Sequence, residues 1–425
     1  MKLMKAEMWD KMQYLFRAYY NRTMHSAYFY DGQIDVEALK KVYVAVINEI
    51  PVLHSTYNNN FIKPYWVIND SFSADDFFSF VVTDDPIKEL DDFMGYTVPA
   101  DGKIQLRARV IRSCGKDILG VVVNHMCFDG SDLRYLNVKV VETYNNYVKT
   151  GELAPDIKKG TRSADQVYRL LSPEDQKIAK GLYKNISTVE NKVTFPFAKD
   201  DGSEKCRLIR EKLCREDFLK MKAKGKEMGA TINDVLLAAY FRTLYKYIET
   251  DGQSITVPCM YDLRRYTGGV TLGLTNMIGF MPCTLSPDVG ETMADTIEKV
   301  KVALQGAKED RFTGLYSLPL LKLAYTILPH CISEIAIRIG YTNPYIGMSN
   351  IGIINPLEFA FDGLTLVDAF YSGAVKYKPY MQLALTTFQN EITFSVGIRG
   401  NDKDAEIFHG FMQDVIKEIQ DFSNN

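Results

Sequence analysis

The chain has 425 residues, of which 46% are hydrophobic and 24% charged, and a formal net charge of −3. Those proportions are globular, and the length predicts two domains; the expected division, 1–175 and 176–425, falls inside the polar stretch that follows Gly151. A weakly acidic chain without a basic stripe excludes a nucleic-acid footprint.

In chain order, the charged start Met1–Glu7 does not read as a signal peptide. Asp35 is expected to cap an amphipathic helix with Val36, Leu39, Val42, Val46 and Ile47 on one face, ending before Pro51. Strands are predicted near 65–68, 78–82, 104–109 and 118–124. A helix follows Gly130 to about Tyr147, with Leu133, Leu136, Val140 and Tyr144 on one face and Ser131 or Asp132 as its cap. The polar stretch from Gly151 to about Val193 reads as a crossing linker containing a helix or two. The second half restarts with a strand at 206–213 and helices at 215–227 and 232–247, broken at Gly229-Ala230. Strands are expected at 255–260, 277–285, 381–387 and 391–398, and a last helix at 404–422.

Residues 315–339 are strongly apolar but interrupted by Pro319, Lys322, Pro329, His330, Glu334 and Arg338. A membrane span needs roughly 20 mostly apolar residues. The expectation is two buried or half-buried helices broken at Pro329, which could also wall an acyl or alkyl substrate. Seven scattered Cys without a CxxC pair predict free thiols in a cytoplasmic protein. Five His, none at metal-ligand spacing, predict no His-based zinc site.

The most informative run is Val121-Val122-Val123-Asn124-His125-Met126-Cys127-Phe128-Asp129-Gly130. A buried strand ends on an imidazole, a carboxylate follows four residues later, and a new helix begins. That places a candidate base at the rim of a sheet. A hydrogen-bonded core histidine and a turn aspartate are the bland alternatives. Cys127 is a rival nucleophile, but nothing nearby would lower its pKa, and a small core residue fits better.

Asn124-His125-Met126-Cys127-Phe128-Asp129-Gly130 resembles the HHxxxDG motif of the CoA-dependent acyltransferase superfamily. That superfamily includes chloramphenicol acetyltransferase-like enzymes, peptide-synthetase condensation domains, plant-type acyltransferases, wax ester synthases and alcohol acetyltransferases. Companion segments resemble family motifs in the same order. They lie at residues 35–57, Gly229-Ala230-Thr231-Ile232-Asn233-Asp234-Val235-Leu236-Leu237-Ala238-Ala239, Val257–Arg264, Asn276–Phe280 and Met348–Gly352. Two departures stand out. Asn124 replaces the first His of the motif, and His54 replaces the Arg of an "L-R-T" segment that pairs with the motif Asp in condensation domains. His54, another Arg or backbone groups could hold Asp129.

The resemblance implies an α/β fold of two chloramphenicol acetyltransferase-like subdomains forming a V around a tunnel. It implies His125 as general base, Asp129 as an orienting residue, and Gly130 as a bend whose N–H polarises the carbonyl. Asn124, Asn276, Ser349, Asn350, His54 and Arg264 are candidates to line the tunnel; for Arg264 a structural salt bridge stays open. The implied co-substrate is a coenzyme A or phosphopantetheine thioester, with no permanently bound cofactor and no metal. The implied partners are an acyl thioester, an alcohol or amine acceptor and a possible acyl carrier protein, with the chain a monomer. A free-standing condensation enzyme and a catalytically silent binding scaffold are the alternative functions.

Overall fold

The computed structural model describes residues 2–182 and 193–424; the end of the expected crossing linker, 183–192, lies outside the described residues. The first half contains β1 (Lys2–Lys5), α1 (Met8–Leu15), β2 (Thr23–Tyr30), α2 (Val36–Asn48), β3 (Ser55–Asn58) and β4 (Tyr65–Ile68). It continues with β5 (Phe78–Val82), α3 (Pro86–Met94), β6 (Leu106–Ser113), β7 (Lys116–Asn124), α4 (Gly130–Thr150) and α5 (Pro173–Lys180). The second half opens with β8 (Lys205–Leu213), α6 (Arg215–Glu227), α7 (Ile232–Tyr247), β9 (Ile255–Asp262), β10 (Ile278–Leu285) and α8 (Met293–Glu309). It closes with α9 (Leu318–Ile327), α10 (His330–Gly340), β11 (Ile346–Ile354), β12 (Leu366–Ser372), β13 (Met381–Phe388), β14 (Glu391–Gly400) and α11 (Asp402–Asn424).

Local chemistry sets the element ends. The Asp35 carboxylate accepts from the N–H groups of Glu37 and Ala38 and starts α2. Thr231 and Asp234 form a reciprocal capping box at the start of α7. Asp129, rather than Ser131 or Asp132, caps α4: its side chain accepts from both of their backbone N–H groups.

Two large sheets organise the molecule. One has the order β12-β2-β7-β6-β5, the other β10-β9-β11-β13-β14-β8, and β1, β4 and β3 form a small third sheet. Each large sheet has its own core: α2 and α4 pack on the first, and α7, α8 and α11 on the second. Among the named strands, one crosses the division at 175/176. β12 comes from the second half but pairs antiparallel with β2, and Phe359, Phe361 and Leu366 join the first core. The two halves therefore share a strand, and one cannot be cut away without opening the other's sheet edge.

α9 and α10 do break at Pro329, which sits at the N-cap of α10. They are less buried than their composition suggests: Ile327, Ile335 and Ile339 are 67%, 60% and 82% exposed. Apolar content alone does not say whether a helix face finds a partner. No helix among the described residues is long and apolar enough to cross a membrane.

Candidate active site

From Asp117 onward β7 runs buried to Asn124. The His125 N–H then donates to the Arg22 carbonyl at 2.7 Å, and Cys127 N–H closes a tight turn onto the Asn124 carbonyl at 3.0 Å. This turn swings the half-buried His125 ring out of the sheet. Its Nδ1 lies 3.0 Å from the Phe128 carbonyl. A carbonyl can only accept, so Nδ1 carries the hydrogen and Nε2 keeps its lone pair. Nε2 has no hydrogen-bond partner among the described residues and is not sealed from solvent. Burial lowers the His125 pKa, Asp129 raises it and Lys376 lowers it further, for a net fall below 6.5. The neutral ring with an open Nε2 is the proton-accepting form.

Asp129 does not touch that ring. It is 1% exposed and saturated. Oδ1 accepts from Ser131 N–H, Asp132 N–H and Arg264 Nη2; Oδ2 accepts from Arg264 Nη1 and, at 2.7 Å, Met277 N–H. The Arg264 pair is bidentate, 2.9 Å on both sides. Arg264 also meets Asp132 at 3.1 Å and Asp262 at 3.2 Å. Burial alone would depress its pKa, but these carboxylates hold it well above the usual arginine value. Burial and the neighbouring Asp129 raise the Asp132 pKa, against Arg264 and Lys158. The partner of Asp129 is thus another arginine together with backbone groups.

His54 is not part of this network. It is buried in the first core, its Nδ1 2.9 Å from the Asn69 carbonyl and its ring 5.2 Å from that of Phe72. Asn124 is likewise structural. It is fully buried, donates to Gln105 Oε1 at 2.7 Å and accepts from Met126 N–H at 3.1 Å. It fixes the turn that presents His125. Cys127 is a core thiol whose pKa burial pushes far up.

The segment before β10 clasps the motif from the second half. Thr275 N–H donates to Asp132, Asn276 Nδ2 to the His125 carbonyl at 2.9 Å, and Met277 N–H to Asp129. Asn276 therefore holds the backbone of His125, and its Oδ1 is buried without a partner among the described residues. Gly279 is required here: a Cβ would lie 2.7 Å from the Gly314 carbonyl oxygen. Gly130 is not required by conformation, since its φ is not left-handed and an added Cβ would meet Ile351 at an ordinary 3.6 Å. That contact comes from the β11 bulge, where Ile351 is skipped in the pairing with β13 and Gly352 takes φ +99°. The bulge aims Ile351 at the motif. Ser349 is half-buried on the same strand, and exposed Asn350 donates to Asn233 at 2.7 Å.

Three further residues, Arg162, Asp10 and Lys158, shape the loop and gave no local signal in the sequence. Arg162 donates to the carbonyls of Met126 and Cys127 and pairs with buried Asp10. Lys158 pairs with Asp132 at 2.6 Å. Pairings between such distant positions are invisible without a fold. Among the described residues no group of His, Cys, Asp and Glu could hold a metal ion.

No protein-family model matches the chain, and no curated protein sequence does. Solved structures match over nearly its whole length. Polyketide synthase associated protein 5 from Mycobacterium tuberculosis aligns at 15% identity and TM-score 0.68, covering 98% of this chain and 97% of that one. The first condensation domain of the calcium-dependent antibiotic synthetase, in complex with a substrate analogue, aligns at 14% identity and TM-score 0.69, covering 99% and 97%. Trichothecene 15-O-acetyltransferase from Fusarium sporotrichioides aligns at 12% and 0.67, covering 99% and 95%. Such identities speak for architecture alone: the chain has the fold shared by condensation domains and this acetyltransferase.

Proposed function

We propose that this protein is an acyltransferase that moves an acyl group from a thioester, acyl-CoA first, to a hydroxyl or amine acceptor. The observation that carries this is His125: Nδ1 committed to the Phe128 carbonyl, Nε2 unpaired and open. Nε2 takes the proton of the acceptor O–H or N–H as that atom attacks the thioester carbonyl. The tetrahedral intermediate collapses, the C–S bond breaks, and the thiolate leaves with the proton from Nε2. Gly130 is the first residue of α4, so its N–H points from a helix N-terminus and suits the developing oxyanion. Asp129 and Arg264 keep the loop in place and carry no proton.

A free-standing condensation enzyme taking a carrier-bound donor is the second reading, favoured by the likeness to condensation domains. A silent scaffold is disfavoured by the open Nε2. The test is thiol release from a series of acyl-CoAs and from loaded carrier proteins, each offered with alcohols, amines, amino acids and hydroxy acids. His125→Ala should lower turnover about 10²–10⁴-fold; unchanged turnover sinks the assignment. Release only from loaded carrier selects the second reading.

A further inference from the structure

Several cations around the His125 loop are matched by carboxylates, but buried Arg22 and half-buried Lys376 are not. Arg264 meets three carboxylates, Arg162 meets Asp10, and Lys158 meets Asp132. Arg22 and Lys376 meet none among the described residues.

Arg22 is only 8% exposed. Its Nε is sealed without a partner, and the one polar contact of its Nη1 is the Met126 sulfur at 3.3 Å. Its guanidinium lies 5.6 Å from the centre of the Tyr14 ring. Its backbone takes φ +59°, an uncommon conformation for a bulky residue. In that conformation its carbonyl receives the His125 N–H. The Arg22 backbone thus faces His125 just beyond the Thr23–Asn124 pair of the β2–β7 ladder.

Lys376 follows β12. Its N–H and carbonyl bond to Gly397 and Arg399, and it bridges Tyr20 on one side and Ile398 on the other. Nζ stands 3.8 Å over the centre of the Tyr20 ring, with no hydrogen bond or ion pair among the described residues, and is not sealed from solvent. It is near enough to His125 to disfavour the imidazolium. Tyr20 pairs with Lys376, and the Asn21 N–H donates to the Val375 carbonyl at 2.9 Å, so the backbone brings the segments that carry the two cations side by side.

A buried guanidinium and a half-buried ammonium without counter-charge are unfavourable in the empty protein. An anion entering between them would satisfy both. The group that must lie beside His125 is the acyl acceptor, whose nucleophilic atom gives up its proton there. The planar guanidinium matches a carboxylate. An acceptor tethered to a carrier has its carboxyl masked as a neutral thioester and would leave both cations unpaired.

We propose that Arg22 and Lys376 seat the carboxylate of the acceptor, which is therefore a free acid, an amino acid or hydroxy acid. This rests on the reading of His125 as the acceptor's base. Its test is a binding measurement that needs no turnover. Phenylacetate and its uncharged isostere phenylacetamide are titrated calorimetrically into the full chain. Phenylacetate should bind at least about tenfold tighter than the amide. Lys376→Met should abolish that difference while the amide is unaffected, and Arg22→Lys, which keeps the charge, should retain part of it where Arg22→Gln does not. Equal binding of acid and amide, no binding of either, or acid binding unchanged in Lys376→Met would overturn the proposal. Preference for phenyl phosphate over phenylacetate would also overturn it. Loss of turnover in His125→Ala bears on the acyl-transfer reading alone, so the two ideas fail separately.

Discussion

Two charged clusters adjoin the loop that carries His125, and they are built in opposite ways. Around Asp129 every charge is matched: Arg264 grips it with both nitrogens, and Asp132, Lys158 and Met277 N–H complete the network. Around Arg22 and Lys376 positive charge stands alone against tyrosine rings. The matched cluster joins residues 135 positions apart and holds the two halves in register. The unmatched one leaves its energy to be recovered by something that is not part of the chain. A matched network should therefore answer mutation with lost stability, an unmatched one with altered ligand and proton affinity.

The sharpest way to break this contrast is Arg264→Ala. It leaves Asp129 and Asp132 buried together without their cation. Removing one partner of such a pair costs about 3–5 kcal/mol. Urea unfolding should show that loss, with turnover falling as the His125 loop detaches. A shift under about 1 kcal/mol would mean that the backbone donors to Asp129 suffice alone.

The next largest effect is acid lability on the unmatched side. His25 pairs across from Ser372, and its Nδ1 bonds to the Gly373 carbonyl at the root of the Lys376 segment. Burial lowers its pKa from 6.5 to about 4. The folded value lies below the unfolded one, so this contribution is whole above pH 6.5 and is lost as pH falls toward 4. The total is roughly 3 kcal/mol. His25→Gln should flatten this part of the stability profile between pH 7 and 4.5; parallel profiles would show that other groups govern it.

Asn124→His restores the motif's usual first residue and tests whether that position belongs to the chemistry or to the frame. The larger ring loses the Asn124 bonds to Gln105 and Met126 in a site with no exposure. A loss of about 1–3 kcal/mol in unfolding free energy is expected, with no gain in turnover. A gain would place position 124 in the reaction.

The same contrast explains what could be read without coordinates. The helices at 215–227 and 232–247 were legible to the residue because caps and 3.6-residue periodicity are local signals. β2 was missed: it is buried on both faces, and Thr23, His25 and Ser26 break its apolar run. β12 reads as a short apolar stretch, and nothing local says that it completes the other half's sheet. The strand, turn and helix that carry His125 and Asp129 were legible from the local spacing. The Asp129 partner was left among three options because the choice depends on which distant strand folds over it. Arg22 gave no signal, since an arginine without a partner looks like any other until its surroundings are known.

The smallest effect is the most specific to the unmatched cluster. A proton on His125 abolishes its use as a base, so kcat/KM should rise with pH and level off above an apparent pKa lower than 6.5. Burial depresses that value first, Asp129 opposes the fall, and Lys376 adds to it. Lys376 itself is lowered by burial to about 7, so it is still charged where His125 titrates. Lys376→Met removes the repulsion. The His125 pKa should then move up toward 6.5, and the acid limb of kcat/KM should shift to higher pH. Because kcat/KM at low pH scales with the neutral fraction, the loss at pH 5.5 should be a few-fold larger than at pH 8. A variant that merely loosened the fold would lower the whole profile without moving its limb. Arg264→Lys serves as the control: it keeps the charge beside Asp129, and its limb should stay where the wild-type limb lies. If both variants moved it alike, the two clusters would act on His125 as one field, and the division between frame and ligand seat would be lost.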